Sequence, residues 1–286
     1  MKLKKTGRRM KLYLNSEKDQ SLVTWTKKDY LLEAAKRLGL DFIKDIKDDP
    51  GPHGYVLNIQ PCEIHKGSRW TGLWHIDVLL DSDFPDHYGQ VDTVFVASSR
   101  GVRPIKNQIV MFQACDPAFH RPEAKKTHDL VFCGSRGPAT IYTERDRVFT
   151  LLEKKYDCVT VPDRNPPETY IDIISTSRVQ LVQSGTTKDN EWGMCAQRFF
   201  ECLAIGPVLC DWTPDLDLLG LVEGRDYLAY RDDKELISNM DRLLKSKKLR
   251  DRIAKSGRQQ ALHLHTYEHR LVSILNTINE YTLCTA

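Results

Sequence analysis

The stretch Leu130-Val131-Phe132-Cys133-Gly134-Ser135-Arg136-Gly137 decides the fold. An apolar run enters a glycine-containing turn, and Val148, Leu151 and Leu152 follow at helical spacing. A buried strand ending in a Gly turn before a helix is how a Rossmann-like unit starts. Here it is a second start. Upstream, Lys11-Leu12-Tyr13-Leu14 reads as a first strand. Thr26 can cap a helix that carries Leu31, Ala35 and Leu38 on one face and stops at Gly39. Tyr55-Val56-Leu57-Asn58-Ile59, Leu73-Trp74-His75-Ile76 and Thr93-Val94-Phe95-Val96 read as further strands. The two prolines of 114–122 and the charges after them mark a crossover linker. Downstream, Pro166-Pro167 opens a helix with Tyr170, Ile173 and Ile174 facing inward. Val179-Gln180-Leu181-Val182 is a strand. A helix from about Met194 follows, with Phe199, Cys202 and Leu203 on its core face, and Gly206-Pro207 ends it before Val208-Leu209-Cys210. Stripes at Leu236, Met240, Leu243, Leu244 and at Leu271, Ile274, Leu275, Ile278 make the C-terminal region helical. Alternation predicts helices over parallel sheets, and the restart predicts two sheets. Ligands bind such sheets at the carboxyl ends of strands where strand order reverses, so two facing units share a cleft.

The 286 residues are 41% hydrophobic and 28% charged, with a formal net charge of +3. That is an ordinary globular composition, and global charge gives no argument for nucleic acid. Lys2, Lys4, Lys5, Arg8 and Arg9 form a basic arm, read as a solvated leader or as a contact for a polyanion. None of the eight cysteines forms a CxxC pair, which fits buried free thiols in a reducing compartment. No apolar run is long enough to cross a bilayer. The expectation is a cytoplasmic protein with no membrane span.

Three places can carry chemistry. Gly134 and Ser135 end a strand where backbone amides approach a phosphate, and Arg145 or Arg147 on the following helix can neutralise a diphosphate. Gly193 and Met194 precede a helix whose free amides and dipole suit an anion; Arg198 adds a charge and Glu201 shares its face. An Arg198–Glu201 surface pair explains the same residues blandly. His75 and Asp77, two apart, project to one side of a strand end, as a general base and its orienting carboxylate or as a structural pair. His263, His265 and His269 share no helical face and complete no ligand spacing, so no metal site is expected.

Gln197-Arg198-Phe199-Phe200-Glu201-Cys202-Leu203-Ala204-Ile205-Gly206 resembles the R-x-F-E-x-x-A-x-G signature of CgeB-like (spore maturation, group 1) glycosyltransferases. His265-Thr266-Tyr267-Glu268-His269-Arg270 resembles that family's closing H-T-Y-x-x-R. The segment from Gly224 to Asp232 is similar to its G-x-E-x-x-x-Y-x-D, with Asp226 in place of Glu. Cys115-Asp116-Pro117-Ala118-Phe119-His120 and Val131-Phe132-Cys133-Gly134-Ser135 match in order and spacing. The resemblance covers about residues 110–272.

What it implies is a metal-independent α/β enzyme of GT-B type, two Rossmann-like domains with parallel sheets facing a central cleft. The N-terminal acceptor domain would span 1–117, the nucleotide-sugar domain 118–265, and a helix over 266–286 would cross back. The co-substrate would be a nucleotide-diphosphate sugar, a UDP-sugar favoured, with no further cofactor. Glu201 would hold the ribose, while Arg198, Arg145 and the amides near Gly193 and Met194 hold the diphosphate. Asp77 or His75 would face the reacting sugar. Related retaining enzymes carry a second Glu eight positions before the ribose-binding one; here Gly193 stands there, and Glu191 is out of register. By family analogy the resemblance leans towards retention. The acceptor stays open: glycan, protein or modified DNA. A DNA-directed reading needs a basic, aromatic-lined groove, with Arg69, Trp70, Arg100, Arg103 and Lys106 as contributors. A non-catalytic scaffold predicts loss of Arg198 or Glu201. A dinucleotide oxidoreductase would need a glycine fingerprint that is absent after the first strand.

Overall fold

The computed structural model describes residues 11–16, 27–46, 54–59, 64–67, 69–75, 88–99, 107–122, 125–134, 143–161, 167–184 and 194–285. Strands β1 (Lys11–Asn15), β2 (Ile43–Asp45), β3 (Gly54–Ile59), β4 (Trp70–His75), β5 (Thr93–Val96) and β6 (Gln108–Val110) form one sheet. Their order is β2-β1-β3-β4-β5-β6, and every pairing is parallel. Strands β7 (His128–Cys133), β8 (Cys158–Val161), β9 (Ser177–Val182), β10 (Val208–Asp211) and β11 (Leu228–Tyr230) form a second parallel sheet, ordered β11-β10-β9-β7-β8. Strand order reverses between β1 and β3 in the first sheet and between β7 and β9 in the second.

β3 and β4 are buried along their whole length, as strands covered on both faces must be. The Trp70 ring lies over Gly72, where a side chain would collide with it, so glycine there lets the indole fold into the sheet. Helix α1 (Lys27–Arg37) buries Leu31, Ala34 and Ala35 on the first sheet. Gly39 follows it at φ +67°, a left-handed turn suited to glycine. Leu38 is 42% exposed rather than on the buried face, because the helix has already ended.

The second sheet shows why alternation carries fold information. Along β7, Leu130 and Phe132 enter one core while Val131 enters the opposite one. The first of these cores is closed by α2 (Thr143–Glu153), α5 (Asp233–Lys245) and α6 (Lys247–Leu264), through Leu152, Met240, Leu243 and Ile253. The second is closed by α3 (Pro167–Ser175) and α4 (Gln197–Ile205), through Ile174, Phe199, Phe200 and Leu203. Each such fully buried aliphatic or aromatic side chain contributes roughly 1.5–3 kcal/mol. Asp232 caps α5 by accepting from the Glu235 amide at 2.8 Å, and Ser246 caps α6 through the Leu249 amide.

The chain crosses between the sheets twice, and the crossings lie side by side. Cys115 N donates to His265 O at 2.9 Å, and Tyr267 N donates to Cys115 O at 3.2 Å. After the second crossing, α7 (Tyr267–Thr285) returns to the first sheet and places Tyr267, Leu271, Ile274, Leu275 and Ile278 in its core. Arg270 ties the crossings together: its guanidinium donates to Phe112 O, Gln113 O, Leu264 O and His265 Nδ1. Burial lowers the Arg270 pKa to about 10. His265 accepts from Arg270 at Nδ1, so Nε2 carries the proton and donates to Leu219 O. Burial, with Arg270 beside it, pushes this histidine down to about 4 and keeps it neutral. The segment His265–Arg270 therefore fastens the two crossings to each other.

Among the described residues no helix is long and apolar enough to cross a membrane. Cys115, Cys195, Cys202 and Cys210 are buried free thiols.

Candidate functional site

The reversal of strand order in the second sheet falls between the carboxyl ends of β7 and β9, and the charged groups gather there. Gly134 ends β7. A Cβ added to it would lie 3.6 Å from the guanidinium of Arg145 in α2, which places that cation beside the strand end. Arg145 donates to Gln183 O, just past β9, at 3.4 Å. Next to it, Asp211 ends β10 and accepts from Ser184 N at 2.8 Å and from Ser184 Oγ. Burial raises the Asp211 pKa to about 6, with the Ser184 bonds and Arg145 pulling against that rise. Arg147, the other arginine of that helix, is bound to Glu144 and Asp233 on the surface, so of the two it is Arg145 that stands at the edge.

Met194, Cys195 and Ala196 lead into α4 and line a small cavity with Val182, Ser184 and Asp211. Ala196 is the N-cap, in extended conformation (φ −66°, ψ 155°), and no side chain caps the helix. Phe199 N closes back on Ala196 O at 3.0 Å, and the residues leading into the helix line the cavity at its positive end. Met194 is buried and lies outside the helix, which begins at Gln197 rather than at about Met194.

Those two residues form a second group around Tyr170 of α3. The Arg198 guanidinium sits over the Tyr170 ring at 5.0 Å, and the Tyr170 hydroxyl donates to Glu201 Oε2 at 2.7 Å. Gln197 Nε2 donates to Glu201 Oε1 at 2.6 Å. Glu201 is 4% exposed: it is packed and already holds two donors. His120, in the first crossing, accepts from Asp116 N at Nδ1, and burial lowers its pKa. Its protonated Nε2 points at Glu201 Oε1 from 3.6 Å. Sequence reasoning gave no site role to Asp211, Tyr170 or His120, although Asp211 is a lone acid closing an apolar strand and His120 ends the Cys115–His120 segment of the resemblance.

His75 is 1% exposed and bonds Tyr88 through Nδ1 at 3.1 Å. The structure thus gives it a packed partner in the first sheet. Asp77, Gly193 and Ser135 lie outside the described residues, as do Arg100, Arg103 and Lys106. Trp70, expected in a nucleic-acid groove, is fully buried in β4 with its indole N–H on Thr93 Oγ1, because a central parallel strand needs apolar side chains on both faces. Asp226 of the G-x-E-like segment is structural: it accepts from Val222 N, Arg225 and Ser256 Oγ. Among the described residues no group of three or more His, Cys, Asp or Glu is placed to hold a metal ion.

Among the described residues the two carboxyl edges meet at Asp215. Asp215, in the 3-10 turn Pro214–Leu218, accepts from Ser98 Oγ and from Ser99 beyond β5, and from Cys195 N before α4.

Two parallel sheets opposed across such a contact define a GT-B glycosyltransferase fold, and solved structures agree. Sucrose-phosphate synthase from Thermosynechococcus elongatus superposes with a TM-score of 0.62 at 11% identity, covering 97% of this chain and 100% of its own. Anabaena HepE in complex with UDP and glucose gives 0.56 at 13% identity, over 94% of this chain and 98% of that one. HepE in complex with UDP-glucose gives 0.55 at 12%, over 96% and 99%. No curated protein sequence matches the chain. The glycosyl transferase-like family profile matches residues 133–276, about half the chain, and the protein belongs to that family.

Proposed function

We propose that this protein transfers a sugar from a nucleoside-diphosphate sugar, a UDP-sugar by preference, without a metal ion. The observation that carries the reading is the gathering of Gly134, Arg145, Asp211 and the α4 N-terminus where strand order reverses in the second sheet. Charge builds on the leaving diphosphate as the glycosidic bond breaks, and fixed positive groups stabilise it directly. Arg145, Arg198 and the amides before α4 supply that charge, which removes the need for a cation. Glu201 holds the ribose once Gln197 or Tyr170 gives up its bond. The HepE complexes with UDP and UDP-glucose support uridine as the base. We place the protein with the CgeB-like enzymes on the motifs at Arg198–Gly206 and His265–Arg270. We assign residues 1–117 and 266–286 to the acceptor half and 118–265 to the donor half, and a cytoplasmic location on the buried free thiols. Asp77 is the candidate to face the reacting sugar, since His75 is committed to Tyr88. Both Arg198 and Glu201 are present, which speaks against a scaffold.

The test is a thermal-shift panel of UDP, GDP, dTDP, CDP, ADP and NAD, with and without EDTA. The expected result is a rise in melting temperature with UDP that EDTA leaves unchanged, because binding to the native state stabilises it. A shift with NAD alone, or with none of the diphosphates, overturns the reading.

A further inference from the structure

Asp215 is fully buried, and among the described residues no cation pairs with it. Its Oδ1 accepts from Ser99 N at 3.0 Å and Ser99 Oγ at 2.7 Å; its Oδ2 accepts from Ser98 Oγ at 2.8 Å and Cys195 N at 3.2 Å. A carboxylate that merely held its own turn would bond its own turn. This one reaches 116 and 117 residues back to the carboxyl end of β5, and 20 back to the amide just before the α4 N-cap. An anion there is stabilised by the helix terminus. A donor diphosphate, in the reading above on which this inference rests, needs the same place. Two anions in one water-poor site repel strongly, because little solvent is present to screen them.

We propose that Asp215 is a self-supplied anion that keeps the donor site shut. One carboxylate occupies the amide at the lead-in to α4 and clamps Ser98 and Ser99 of the opposite half. The donor diphosphate and the clamp are therefore mutually exclusive. Binding the donor frees the carboxyl end of β5, which lies in the half assigned to the acceptor. Donor binding then precedes acceptor binding: the clamp opens only once the diphosphate has taken over the amide.

The experiment is calorimetric titration of UDP into the full-length wild type, Asp215→Asn and the double variant Ser98→Ala/Ser99→Ala, with hydrogen exchange of the Ser99 amide in the wild type. Asp215→Asn keeps the size and one acceptor but removes the charge. It should bind UDP about fivefold to tenfold more tightly than wild type. The double serine variant, which weakens the clamp from the other side, should gain about twofold to threefold. The Ser99 amide should exchange faster when UDP is bound. Equal or weaker UDP binding by Asp215→Asn, or slower exchange at Ser99, overturns the clamp. If Asp215→Asn does not fold, the serine variant and the wild-type exchange decide the matter in the same way. A wild type that binds no UDP overturns the donor reading and the clamp together; a wild type that binds it while the variants stay unchanged removes the clamp alone.

Discussion

At the strand reversal of the first sheet, Asn15 and Asn58 meet across β1 and β3. Asn58 Oδ1 accepts from Asn15 Nδ2 at 2.8 Å and His65 N at 2.9 Å, and its Nδ2 donates to His65 O and Gly72 O. At the equivalent reversal of the second sheet stand an arginine, a buried acid and a helix start without a side-chain cap. The strand order is the same on both sides of the cleft, and the chemistry is opposite. One edge is closed by its own amides, and its Lys28 is matched by Asp45 at 3.0 Å; the other sets Arg145 beside Asp211 with no ion pair between them. Topology says where a ligand can sit, and the side chains at the reversal say which half takes an anion.

Substitutions at the two edges should separate stability from binding. The largest effect belongs to Asn58→Ala, which leaves polar partners at Asn15, His65 and Gly72 unmatched, two of them buried. It should lose about 3 kcal/mol in urea unfolding while the folded protein keeps its UDP affinity. Loss of UDP binding there would break the contrast. Next, Arg145→Ala should leave stability within about 1 kcal/mol of wild type but weaken UDP about tenfold by titration. Smaller again, Glu201→Gln should reduce the preference for UDP over its 2′-deoxy counterpart about fivefold, since only a ribose hydroxyl distinguishes the two. An unchanged preference would separate Glu201 from the ribose.

The smallest effect concerns pH. The Asp211 carboxyl holds its proton up to about pH 6 in the folded state, against an ordinary value of 3.8. The folded chain therefore binds more protons than the unfolded one across that window, and wild type loses stability as pH rises through it. Asp211→Asn has no such loss. Its stability relative to wild type should rise between pH 4 and 6 and then level off, measured by unfolding at fixed pH; a flat difference would remove the buried-acid assignment.

Much of this was legible before any coordinates. The apolar runs at β1, β3, β5, β7, β9 and β10 announced themselves, and so did the crossover at 114–122, because central parallel strands have to be apolar. The strands β2, β6, β8 and β11 did not: all four are short edge strands, and only a central parallel strand has to be apolar on both faces. Gly134 stood out as the turn after an apolar strand, Arg145 as a cation at the start of the next helix, and Glu201 through the Arg198–Gly206 segment. What sequence could not give was partnership. Nothing in the spacing says that Tyr170 stands between Arg198 and Glu201, that His75 is spoken for by Tyr88, or that Asp215 finds Ser98 and Ser99. Those pairings join residues 13 to 117 positions apart, and only the packed sheets bring them together.

The return of α7 has a consequence for how the chain is made. The core of the first half includes Tyr267, Leu271, Ile274, Leu275 and Ile278, residues translated after the whole second sheet and its helices. On the ribosome, domains settle as their residues emerge. The half that begins first must therefore wait, with Trp74 and Leu31 lacking their cover, while the half inserted within it has all its strands and helices in hand. The protein is synthesised from one end but completed from the middle outward.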